Sequence, residues 1–226
     1  MDDVLKNLNK EESAYKLSNI LNKIAKGEIK VDDCSQIINF LDDRRTAVRH
    51  SAIDALRACR SPLAEEALIN ILKKSNDEYD LTYANAALSE IGTNKAIPHL
   101  IDLLRHPIGD VKCSALWALN ELGDASLLPT FLEALQDRSV AVKGYALLGI
   151  SKHGNETAIK PVIERIKTML KRKRKVESDD LILALGFLIR FEEDYKEIVE
   201  LFDWIKSKKW DFLFDTEKEW IKSINE

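Results

Sequence analysis

Glycine and proline keep a common interval through the middle of this chain, and that interval limits the fold more than any other feature. Gly92, Gly123 and Gly154 lie 31 residues apart and end the runs SEIG, NELG and SKHG. Pro98, Pro129 and Pro161 follow at intervals of 31 and 32, each early in the next apolar run. Glycine past a helix end is the usual left-handed cap. Proline costs little in a helix's first turn, where the amides have no intrahelical acceptor. One unit is therefore a helix, a short turn, a second helix and a glycine stop.

A column of small residues keeps the same period. Ala52, Ala84, Ala115 and Ala146 are spaced 32, 31 and 31, followed three residues on by Ala55, Ala87, Ala118 and Gly149 and then by Leu56, Leu88, Leu119 and Ile150. Val48, Val111 and Val142 stand four before the alanines. This is one face of a helix, with side chains small enough for close helix–helix approach. Five units follow, over roughly 32–61, 62–93, 94–124, 125–155 and 156–193. The last carries a seven-residue insertion, since Ala146 to Ala184 is 38. A single unit cannot bury its apolar stripe, so the units must stack and the ends need different sequences. The expectation is one all-α domain over 1–226: an N-terminal cap (1–31), repeats (32–193) and a C-terminal cap (194–226), forming a right-handed α-solenoid, or superhelix.

Charged residues make up 32% of the chain and apolar ones 45%, as helices with a wide solvated face require. Eight glycines and five prolines are too few for a turn-rich β protein. A net charge of -4 argues against a general nucleic-acid binder. Cys34, Cys59 and Cys113 show no CxxC spacing and read as reduced, buried or half-buried thiols. The start, MDDVLKNLNKEESAYKL, lacks the basic and apolar regions of a signal peptide, and no run of about 18 apolar residues occurs. These features predict a cytoplasmic protein. They set no oligomeric state.

On these columns the chain resembles the HEAT-repeat family, in particular the short bacterial repeats of the phycobilin-lyase type. The resemblance covers about 32–190. It is carried by the proline of the first helix, an Asp at the turn and a Val-Arg/Lys pair opening the second helix: Asp43 with Val48-Arg49, and Asp137 with Val142-Lys143. The third unit keeps Val111-Lys112 but has His106 at the Asp position. The second unit departs most, with Asp80-Leu81 at the pair and no familiar turn over 76–80. The resemblance implies that Asp43, Arg49, Lys112, Asp137 and Lys143 hold neighbouring units together. It also implies that second helices line a concave face. It says little about activity, because such arrays host scaffolds, transport receptors, lyases and a DNA glycosylase.

At 100° per residue, the side opposite the core carries His50, Asp54, Arg57 and Ser61 in the first unit and their equivalents in the others. Within that strip we take Trp117, Leu148, His50, Asp54, Arg57 and Asn120 as candidate partner-binding residues. Trp117 is the central aromatic anchor such patches use, or else it packs sideways into the stack. His50, Asp54 and Arg57 either contact a partner or pair locally along their helix. The run Lys171, Arg172, Lys173, Arg174 and Lys175 falls in the insertion. It is either a solvated extension or a second site, for an acidic protein surface or a phosphate backbone. Trp204, Trp210 and Trp220 lie in the last 23 residues and suit an end cap or an exposed docking surface.

No HExxH, CxxC, GxSxG, GxGxxG or phosphate-binding loop occurs, and none of His50, His99, His106 and His153 precedes a Glu. No catalytic residue, metal or cofactor is expected. The leading expectation is a non-enzymatic module binding a protein or peptide on its concave face, for example an acidic immunity protein that blocks a basic toxin domain. The alternatives are a DNA glycosylase or nucleic-acid binder, with Trp117 and Glu121 in the key roles, and a tetrapyrrole lyase or its partner subunit.

Overall fold

The computed structural model describes residues 13–31 and 33–224. The described residues form thirteen α-helices and no strand. They fall into two compact units, Met1–Gly123 and Asp124–Glu226. The part of the expected N-terminal cap over residues 1–12 lies outside the described residues.

The first unit begins with α1 (Ala14–Ala25), capped by Ser13, whose side chain accepts from the Lys16 N–H. Three helix pairs follow: α2 (Ser35–Ile38) with α3 (Thr46–Cys59), α4 (Pro62–Lys74) with α5 (Glu78–Ile91), and α6 (Ile97–Leu103) with α7 (Gly109–Leu122). The second unit holds α8 (Leu128–Ala134) with α9 (Val140–His153) and α10 (Ile159–Met169) with α11 (Asp180–Ile189), then α12 (Lys196–Trp204) and α13 (Asp215–Ser223). Every expected helix pair is present, so the fold class is the all-α solenoid type. The alanine column is fully buried throughout: Ala52, Ala84, Ala115 and Ala146 each show 0% exposure.

One turn design recurs four times with three kinds of side chain. Asp43, Ser75, His106 and Asp137 each accept, through the side chain, the backbone N–H two residues on, at Arg45, Asp77, Ile108 and Ser139. The second repeat, 62–93, therefore has the turn its sequence seemed to lack. Ser75 supplies the acceptor, and Asp77 then caps α5. His106 fills the Asp position with Nδ1, which accepts at 3.2 Å. Asp43 and Asp137 thus close their own turns, a role the resemblance did not imply. Arg49 does link two repeats.

The glycine stops differ from expectation. Gly92, Gly123 and Gly154 are extended, with φ of -70°, -89° and -74°, not left-handed. Closeness explains the glycine at two of them. A Cβ at Gly92 would lie 2.5 Å from the Leu88 carbonyl oxygen, and one at Gly154 would lie 2.7 Å from the Phe187 ring. At the equivalent place after α3, Arg60 is left-handed (φ 48°), and Gly27 after α1 is too (φ 74°).

In the second unit, Phe131 on α8 is fully buried against Gly149 on α9, where a Cβ would meet the ring at 2.4 Å. One repeat later the sizes reverse: Val162 takes the place of Phe131, and Phe187 takes the place of Gly149. The insertion forms the 170–179 connection between α10 and α11. Within it Arg174 makes a bidentate pair with Glu217 of α13, at 2.7 and 2.5 Å, and lies over the Phe214 ring. Glu217 is 1% exposed and also accepts the Phe214 N–H.

Candidate functional site

The second helices of the first unit present a surface rotated by about 60° from the strip that periodicity alone selects. The cause is repeat-to-repeat contact. His50 on α3 turns toward α5, where its ring stacks on Tyr83 at 4.2 Å and its Nε2 lies 3.3 Å from Asp80 Oδ1. Arg57 donates to Glu90 of α5 at 3.0 Å and lies 4.0 Å from Asp54. Cys113 and Asn120, at the equivalent places on α7, are buried (7% and 3%). Asn120 was placed on the open face. It lies beneath it, donating to Glu121 Oε1 at 3.1 Å.

The row of Ser61 also has another use. Ser61 accepts from the Ala64 N–H, Thr93 from Lys95, Asp124 from Ser126 and Asn155 from Thr157. Ser61, Asp124 and Asn155 thereby cap the following element, and Thr93 closes the turn before α6, so this row serves the stack. Buried Glu65 of α4 adds to this by accepting both the Thr93 N–H (2.6 Å) and the Thr93 hydroxyl (2.7 Å).

What remains open in the first unit is a line of aromatic and acidic side chains. Tyr79 and Tyr83 on α5 are 58% and 39% exposed, and Trp117 on α7 is 43% exposed. Glu90 and Glu121 are exposed beside them, and Asp54 is half-buried. The two tyrosines and Glu90 were missed by the sequence reading, which named Glu121 only in the nucleic-acid alternative. Their signal was available: 79, 83, 86 and 90 form one helix stripe whose last three members align with 114, 117 and 121. In the second unit the same stripe carries Tyr145 (38% exposed), half-buried Leu148 and exposed Lys152.

Burial raises the Asp54 carboxyl above its ordinary range, and Glu90 adds to this while Arg57 and His50 oppose it. The folded state therefore holds that proton more tightly than the unfolded chain does. Ionised Asp54 opposes folding above its folded pKa, and the effect fades as pH falls below the unfolded value. Asp54→Asn is thus expected to melt at or above wild type near neutral pH, with the advantage vanishing in acid. Urea titrations at both pH values check this.

His50, Asp77 and Asp80 bring three possible ligand atoms within 4.8 Å of one another. Arg49 already stands among them. Its Nε donates to Asp80 (2.9 Å) and its Nη2 to Asp77 (3.1 Å), while Nη1 donates to the Asp43 carbonyl. A divalent cation would have to displace that guanidinium, so the cluster fits a joint between repeats better than a metal centre. The three thiols are free. Burial and a hydrogen bond with Cys34 push the Cys59 thiol up, toward the unreactive form.

Of the basic run, Lys171, Arg172, Lys173 and Lys175 are exposed, whereas Arg174 is committed to Glu217. The C-terminal tryptophans Trp204, Trp210 and Trp220 are half-buried. Trp220 covers Gly186 of α11, where a Cβ would lie 3.7 Å from the ring, as an end cap would. Among the described residues no helix is long and apolar enough to cross a membrane.

Residues 34–120 match the HEAT repeats family, and residues 111–137 match the PBS lyase HEAT-like repeat. Protein YibA of Escherichia coli K12 is 29% identical over 178 residues, covering 72% of this chain and 61% of YibA. The chain thus spans about three fifths of that relative's length. The crystal structure of Escherichia coli YibA superposes with a TM-score of 0.63 at 22% identity, over 98% of this chain and 89% of the other. A designed armadillo repeat protein in complex with the peptide (KR)4 gives 0.55 at 21% identity, over 79% and 91%.

Proposed function

Because residues 34–137 of this chain are HEAT repeats, we propose that it is a non-enzymatic interaction module whose second-helix face receives a partner protein or peptide, with Trp117 as the central contact. The observation that carries this reading is the exposure of Trp117, 43%, on a helix where Leu116 and Ala118 on either side of it are fully buried. An indole held open on a rigid helix pair is the kind of anchor that dominates binding energy. The designed armadillo repeat protein in complex with the peptide (KR)4 supports the idea that a helical repeat stack of this kind takes a peptide. Leu148 is the corresponding candidate contact in the second unit. His50, Asp54 and Arg57 shape its edge, and Asn120 supports it from below.

A finer version is an inhibitor that covers a toxin domain, as an immunity protein does. It draws on the acidic balance of -4. Nucleic-acid recognition is less well supported. Arg57 is the basic residue on the predicted strip, and it is already paired with Glu90.

The test is capture from the native host by wild type and Trp117→Ala, after both are shown to melt alike. Loss of one specific partner by about 2 kcal/mol or more is expected. A partner retained in full by the folded variant would remove the site from this face.

A further inference from the structure

Charge on the open face of the first unit is one-sided. Four rows of the second helices make up that stripe, through Tyr79, Tyr83, Trp117 and Glu121. Across α3, α5 and α7 they contain no lysine or arginine. They hold Asp54, Glu90, Asp110 and Glu121 instead, the last three exposed. The guanidinium nearest the stripe, Arg57, is held at 3.0 Å by Glu90. In the second unit the corresponding row turns basic, with Lys152 and Arg190. The acidic character is therefore local to the face that also carries three exposed aromatic rings.

Aromatic rings and carboxylates side by side are complementary to one chemistry. A guanidinium or ammonium stacks on Trp or Tyr through the ring quadrupole while a nearby carboxylate neutralises it. We infer that this face takes an extended, arginine- or lysine-rich segment of a partner chain, its cationic side chains lying over Tyr83 and Trp117 and paired with Glu90 and Glu121. The inference rests on the partner-binding reading above and names its partner's chemistry.

Geometry adds a spacing. Adjacent packed helices lie about 8–10 Å apart. A polyproline-type segment rises about 3.1 Å per residue and repeats its side-chain direction every three residues, which is about 9 Å. A cation at every third residue would thus meet successive second helices.

The experiment is fluorescence anisotropy with three labelled peptides of about twelve residues and proline-rich background, carrying Arg, Glu or Leu at every third position. The wild-type protein should bind the Arg peptide at low salt, and binding should weaken as ionic strength rises. Trp117→Ala should reduce it by about 30-fold. The charge-reversed Glu121→Lys should also weaken the Arg peptide while strengthening the Glu peptide. Peptide ranking and salt dependence on the wild type need no variant to fold. Preference for the Glu or Leu peptide, or binding of none, overturns the inference. The broader reading survives that result if host capture still depends on Trp117.

Discussion

Glu217→Ala is expected to lower the stability of the second unit by about 3–5 kcal/mol, because it leaves a mostly buried guanidinium without its counter-charge. Arg174 is 15% exposed at its side chain and Glu217 is 1% exposed, so little water can replace the pair. The same substitution strips the acceptor from the Phe214 N–H at the start of α13. Denaturant unfolding should show a lower midpoint, and limited proteolysis should cut first near the 170–179 connection or α13. Glu217→Gln keeps an acceptor for Phe214 but not the charge, and should fall between the two. A wild-type midpoint for Glu217→Ala would mean that the pair does not secure the cap.

Phe131→Ala is expected to cost a similar amount, about 3–5 kcal/mol, as truncation of a fully buried ring does. The informative partner is Gly149. Replacing a mid-helix glycine by alanine normally stabilises a helix by about 1 kcal/mol. Here the added methyl would stand 2.4 Å from the Phe131 ring, so Gly149→Ala should instead destabilise by about 1–3 kcal/mol. In a Phe131→Leu background the methyl has somewhere to go, and the sign should move back toward stabilisation. The two changes must therefore be strongly non-additive. Additive midpoints in chemical denaturation would show that the two positions do not share one space.

These two sites show what periodicity exposes and what it hides. The alanine column and the proline interval placed every helix pair, because close helix packing and first-turn geometry act on residue type at fixed spacing. The Gly149 place in that column was legible, but its bulky counterpart Phe131 was not, since the contact joins two helices. The turn acceptors Asp43, Ser75, His106 and Asp137 share a role but not one side-chain type, so a search for Asp passed over Ser75 and took His106 for a departure. The exposed strip lies away from where the helical wheel puts it for a related reason. A helical wheel treats a helix as if it had only an inside and an outside. His50 and Arg57 also meet a next repeat, and contact with it turns that side inward. Trp117 survived the shift because its row points straight out, whereas Asn120 did not. Arg174 was read as one charge in a run, because its partner Glu217 is 43 residues away.

Repeated units carry a hazard of their own: similar pieces can pair in the wrong order. Arg49 with Asp77 and Asp80 bears on that hazard. Asp80 is 8% exposed at a place where three other repeats have valine. A neighbour without an arginine at the right height would leave its carboxylate buried and unanswered. The joint thus acts as an address, admitting the repeat that carries Arg49 and penalising its near-copies. Sequence likeness between units builds the stack, and a departure from it such as Asp80 makes one joint unlike the next.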